Sequence, residues 1–135
     1  MPNHESPVTG TDAFLVAEQV RKRRISPVEV IEETLARIER LNPRFNAFIT
    51  VFGDQARQAA RRAERLVMQR GRALPPLFGV PVSVKEIVFT TEAPTTAGSK
   101  IFGTGLMAER DAAVVRRLRQ AARSSSARPT CTRWR

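Results

Sequence analysis

Residues 79–86 read "GVPVSVKE". Val80, Val82 and Val84 alternate with Pro81, Ser83 and Lys85, and an apolar residue at every second position is the pattern of a strand with one buried face. "GRALPPL" (71–77) is the loop that leads into it, and "TTEAPTTAGSK" (90–100) is the loop that follows.

On the amino-terminal side the period becomes helical. In "SPVEVIEETLARIERLNP" (26–43), Ser26 suits an N-cap, Pro27 suits the first helical position and Glu29 completes a capping box. Val28, Ile31, Leu35, Ile38 and Leu41 form one apolar stripe, and the bias of a residue before proline away from the α region predicts a stop at Asn42-Pro43. An earlier short helix over 12–23 opens at Thr11 or Asp12, with Ala13, Val16, Ala17 and Val20 on one face. "NAFITV" (46–51) has the β-branched and aromatic content of a strand. Ala56, Ala59, Ala60 and Ala63, followed by Leu66 and Val67, give a helix over 54–70 that packs close against a larger body. After the loop, Asp111 is the expected cap of a last helix that turns Val114, Val115, Leu118 and Ala122 inward. Helices followed by and alternating with short strands indicate an α/β fold, with residues 1–10 as a disordered N-terminus and 11–122 as the folded portion.

The composition is that of an ordinary soluble domain, with 41% apolar and 27% charged residues over 135 positions. The formal charge is +10, of which residues 123–135 supply +4. A single Cys excludes an internal disulfide framework, and without a signal-like start or a membrane-length apolar run the expected location is the cytoplasm. There is no metal-ligand spacing and no phosphate-binding glycine loop, so neither a metal nor a cofactor is expected. His4 sits in the N-terminal segment. "RKRR" (21–24) ends an amphipathic helix, where it reads as a solvated face that suits the helix dipole. Thr95, Thr96 and Ser99 flank Gly98 with no neighbouring His or Asp arrangement, which favours turn chemistry over nucleophilic work.

Five pieces in order, the "S-x-x-E" helix, "RIERLNPRFNAFITV", "GVPVSVK", "TTAGS" and "DAAVVRRL", resemble the amidase signature family along nearly all of residues 11–122. That resemblance implies the N-terminal part of an amidase fold, with helices packed on a mixed sheet. It also implies hydrolysis of a carboxamide C–N bond through a serine acyl-enzyme. The family lysine matches Lys85, which the resemblance makes the general base, acting through a bridging serine on a serine nucleophile. From the strand alone, Lys85 beside Glu86 reads as an ion-paired surface residue of little energetic weight. A lysine accepts a proton only when neutral, and with an ordinary pKa of about 10.4 roughly one in a few thousand is neutral at pH 7, so the role requires a desolvated setting. Glu86 stands where the family more often has Asp, and Ser83 where a smaller residue is common.

The last stretch, "RSSSARPTCTRWR" (123–135), departs from this pattern. It has four Arg, no acid, and the protein's one Cys (Cys131) and one Trp (Trp134). GC-rich codons for residues 122–135, read one base out of register, give "GAVIIGKTNMHEMA", a family-like strand and loop. Residues 123–135 are therefore expected to be an out-of-frame basic tail. Both family serines fall after this point in the family, so the chain by itself is expected to be inactive. The alternative function is a basic helical module that binds RNA or a partner protein; it has no aromatic stacking platform and no recognised nucleic-acid motif, which makes nucleic acid the weaker partner. A small-molecule amide is the substrate the resemblance implies, with its identity and the oligomeric state open.

Overall fold

The computed structural model describes residues 8, 10–70, 74–99, 106–122 and 131–134. The elements are α1 (Ala13–Arg21), α2 (Pro27–Phe45), β1 (Phe48–Thr50), α3 (Gly53–Arg70), β2 (Val82–Lys85), α4 (Ala113–Ala122) and β3 (Cys131–Trp134).

Local chemistry sets the helix starts. The Asp12 carboxylate accepts the Phe14 N–H at 2.7 Å and opens α1. Ser26 Oγ accepts the Val28 N–H at 2.9 Å while the Ser26 N–H donates to Glu29 Oε2 at 2.8 Å, so the expected capping box is present. Val16, Ala17 and Val20 are buried as expected, but Ala13, at the first helical position, is exposed.

The end of α2 differs from the sequence expectation. The helix runs through Pro43 to Phe45 and closes at Asn46, whose φ of 45° is left-handed. Proline removes one donor from the ladder, yet the Asn46 N–H still reaches Asn42 O at 2.7 Å. The Asn42 side chain then bonds the Phe48 backbone twice, from Nδ2 to the carbonyl at 3.0 Å and from the Phe48 N–H to Oδ1 at 2.8 Å. Those bonds outside the helix offset the pre-proline bias.

Among the described residues, three apolar clusters hold the layers. Val16, Val20 and Val30 meet Ala63, Val67 and Phe78, which joins α1, α2 and α3 to the segment before β2. Val30 and Phe78 are fully buried, and neither belonged to the expected stripes. Ile31 and Leu35 of α2 pack on Ala56 and Ala60 of α3, where small side chains let the two helices approach closely. Val84 of β2 meets Val115 of α4, with Val82, Val88 and Ala112 around them. Val114, expected inward, is exposed. Of the N-terminal segment read as disordered, residues 1–7 and 9 lie outside the described residues; Val8 packs against the first cluster, and its carbonyl accepts the Thr11 N–H at 3.3 Å.

The sheet is mixed, in the order β1-β3-β2. β3 is antiparallel to β1 and parallel to β2, with Val82 opposite Cys131 and Lys85 opposite Trp134. The side chains of 131–134 carry no strand pattern. Backbone pairing there draws on N–H and C=O groups that every non-proline residue carries, so it leaves no pattern in the side chains.

Candidate active site

β2 begins from a double turn. The Phe78 N–H donates to Pro75 O and the Val80 N–H to Leu77 O, both at 3.1 Å, while the Leu77 N–H reaches Ala121 O at the end of α4 at 3.0 Å. Gly79 lies inside this turn with φ +80°, and a Cβ there would stand 3.1 Å from Val20 Cγ1. Both the left-handed backbone and the close approach call for glycine. Phe78 is thereby sent into the core, and β2 leaves in a fixed direction.

Lys85 closes β2. It is half-buried, and its carbonyl accepts the Val88 N–H at 3.0 Å, which turns the chain sharply after the strand. Glu86, inside that turn, is only 3% exposed. Its burial departs from the surface position that the strand pattern suggested. Its Oε1 accepts the Thr96 N–H at 2.6 Å and the Thr96 hydroxyl as well. A buried carboxylate is costly unless charge-assisted donors meet it, and Thr96 supplies two.

Thr96 begins the turn that the sequence placed at "TTAGS". The Ser99 N–H donates to Thr96 O at 2.9 Å, and the central residues Ala97 and Gly98 have φ of 52° and 64°. Two successive left-handed residues under an i to i+3 bond make a type I′ turn. Thr95 just before it is paired in both directions with Leu106, at 2.9 and 3.0 Å.

A second tie joins this loop to α4. Asp111 does not serve as the cap of that helix. Its Oδ1 accepts the Thr91 N–H at 2.9 Å, and its Oδ2 lies 2.9 Å from Arg119 Nε. The Arg119 guanidinium also meets Glu92 at 2.9 Å, with both side chains largely buried. The bridge spans residues 91, 92, 111 and 119, so no local spacing could signal it.

The remaining singled-out residues serve the scaffold or lie elsewhere. Arg21 donates to the carbonyls of Pro75 and Pro76, and Arg23 to those of Val67 and Met68 at 3.2 and 3.1 Å. Half of "RKRR" is therefore committed to backbone carbonyls instead of forming a purely solvated face. Lys22 pairs with Glu18 at 2.6 Å and holds that carboxyl below its ordinary range. Ser26 caps α2, Ser83 is exposed on β2 and Ser99 ends the type I′ turn. His4 lies outside the described residues, and Cys131 is described only by its backbone in β3. Among the described residues no group of three or more His, Cys, Asp or Glu stands together as a metal site, and no helix is long and apolar enough to cross a membrane. An apolar groove of about 340 Å³, walled by Ile38, Leu41, Phe45, Phe48, Pro81 and Val82, lies at the opposite end of β2 from Lys85.

The class defined by these features is an α/β protein with helices on a mixed sheet and a half-buried lysine closing a strand beside an anchored Gly-Ser turn. The chain belongs to the amidase signature family: the sequence pattern of the Amidase family matches residues 29–125. It is 40% identical over 117 residues to a putative amidase AmiD of Mycobacterium bovis, covering 87% of this chain and 24% of that protein. It is 44% identical over 104 residues to a glutamyl-tRNA(Gln) amidotransferase subunit of Geobacter sulfurreducens, covering 77% and 21%. The structure superposes on a bacterial aryl acylamidase of the amidase signature enzymes with a TM-score of 0.76 and 28% identity, covering 96% of this chain and 26% of that one. The chain thus spans about a quarter of the length of the relatives it matches.

Proposed function

We propose that Lys85 is the general base of a serine-dependent amide hydrolase and that these 135 residues carry its lysine-bearing quarter. The observation that supports this most is the position of Lys85, half-buried at the carboxyl end of β2 within the segment that matches the Amidase family. In the reaction, neutral Lys85 takes a proton through a bridging serine from a serine nucleophile. The serine oxygen forms a bond to the amide carbonyl carbon, ammonia or an amine leaves as the C–N bond breaks, and water then cleaves the acyl-enzyme ester to the acid. The substrate class is a small carboxamide, and the compartment is the cytoplasm.

By the same resemblance, the bridging and nucleophilic serines belong to parts of the family fold that follow the matched segment. The 135 residues taken alone are then catalytically incomplete, because base and nucleophile must stand within hydrogen-bond reach. Residues 123–135 are read as out of frame, supported by their composition and by the family-like "GAVIIGKTNMHEMA" in the neighbouring register. The backbone ladder of β3 is compatible with either frame, since main-chain bonds do not distinguish side chains.

The test compares two chains: the 135-residue protein, and one translated after a single base is restored near codons 121–122. Against a simple aromatic or aliphatic amide, the restored chain hydrolyses and its Lys85→Ala variant is slower by at least about 100-fold. The 135-residue chain shows no Lys85-dependent hydrolysis. An absent downstream frame, or Lys85-dependent turnover by the short chain, overturns the reading.

A further inference from the structure

We propose that Glu86 is the positioning residue of the Lys85 site, holding the Thr96–Ser99 turn in its left-handed form against the carboxyl end of β2. The proposal rests on the reading of Lys85 as the base, and extends it to the residue that sets the lysine's surroundings.

Ala97 sits at φ 52°, where a Cβ meets the following carbonyl at a cost of about 1–2 kcal/mol. An alanine stays there only if its neighbours over-determine the turn. The Ser99 N–H to Thr96 O bond closes the turn but does not fix where it sits. The Thr95–Leu106 pairing holds the strand side of the turn, and the tie to β2 comes from the first turn residue, whose N–H and hydroxyl both end on the same oxygen of Glu86. Glu86 in turn is placed by Lys85: it lies between the last residue of β2 and Val88, whose N–H closes onto the Lys85 carbonyl. The lysine, the buried acid and the turn form one chain of fixed geometry, with Lys85 held by the strand on one side and by Glu86 on the other. Glu86 is buried to 3% exposure, which keeps water from competing for Thr96.

Two uncharged substitutions separate position from charge. Glu86→Gln keeps an Oε1 that accepts both Thr96 bonds, and Glu86→Ala removes it. The protein has three lysines, at 22, 85 and 100, so brief acetylation with limiting acetic anhydride read by mass spectrometry reports Lys85 against Lys22. Amide hydrogen exchange reports the Ser99 N–H. In Glu86→Ala, Ser99 exchange rises by about tenfold or more, and the Lys85:Lys22 ratio differs by at least about threefold from that in Glu86→Gln. In Glu86→Gln, Ser99 exchange stays within about twofold of the unaltered chain.

Unchanged Ser99 exchange in Glu86→Ala overturns the anchoring. Equal acetylation ratios in the two variants overturn the link to Lys85. Should Glu86→Ala not fold, Thr96→Val keeps the carboxylate and removes one of its two donors. A Ser99 exchange rate raised by about threefold or more then supports the proposal, and an unaltered rate overturns it. No readout uses amide hydrolysis, so a failure here is separable from a failure of the proposed reaction.

Discussion

Replacing Gly79 by alanine tests the joint between the helical core and the strand that carries Lys85. Two costs act together. An alanine at φ +80° pays the left-handed penalty of about 1–2 kcal/mol. Its Cβ would also stand 3.1 Å from Val20 Cγ1 and 3.4 Å from Cγ2, and Val20 is fully buried in the cluster that holds Val16, Val30 and Phe78. Overpacking of this kind costs about 1–3 kcal/mol, so the total is about 2–5 kcal/mol. With a urea dependence of about 1.5–2 kcal/mol per M for a chain of this size, the unfolding midpoint followed by far-UV circular dichroism drops by about 1–3 M. Val20→Ala removes the two methyl groups in the way. Combined with Gly79→Ala it should recover at least about 1 kcal/mol relative to the sum of the single changes. Strict additivity would refute the steric half of the reasoning, and a midpoint shift below about 0.3 M would refute both halves.

Asn42→Ala removes both side-chain bonds to the Phe48 backbone; a loss of about 1–3 kcal/mol is expected, with faster exchange of the Phe48 amide as the specific sign. Lys22→Ala lets the Glu18 carboxyl titrate at higher pH than in the unaltered chain, as read by NMR of its side-chain carbons. Because the folded-state value is depressed, the pair's small contribution is present above the unfolded carboxyl range and disappears as pH falls through the folded value.

Local chemistry was legible in the sequence wherever the partners are neighbours along the chain. The Ser26–Glu29 box, the start of α1 at Asp12 and the alternation ending at Lys85 each follow from residues a few positions apart. Misreadings occurred where a distant group takes over a local signal. Asn42-Pro43 is a sound stop signal until Phe48 supplies two bonds, and Asp111 is a sound cap until Thr91 and Arg119 claim its oxygens. Lys85 stood out through the family pattern, whereas Glu86 looked like an exposed companion because its partner Thr96 is ten residues away. Charge beside charge suggests a surface pair, and only burial reveals that the acid faces inward. Phe78 was hidden for a related reason: it stands alone between loop residues, with no periodicity to mark it as core.

The position of β3 between β1 and β2 fixes a timetable for assembly. The first apolar cluster draws on residues from Val16 to Phe78, so the three-helix unit has its contacts once that length of chain is available. β1 and β2 reach each other only through β3, which begins at Cys131, about 80 residues after β1 ends. At a synthesis rate of about 5–20 residues per second, the interval between Phe78 and Cys131 lasts about 3–10 s. From Lys85 to the arrival of Cys131, β1 and β2 follow the residues of the first cluster with their main-chain groups unclaimed by any strand of the sheet. Nascent chains at this stage offer bare strand edges to other nascent chains, which makes this window one of exposure to association during synthesis.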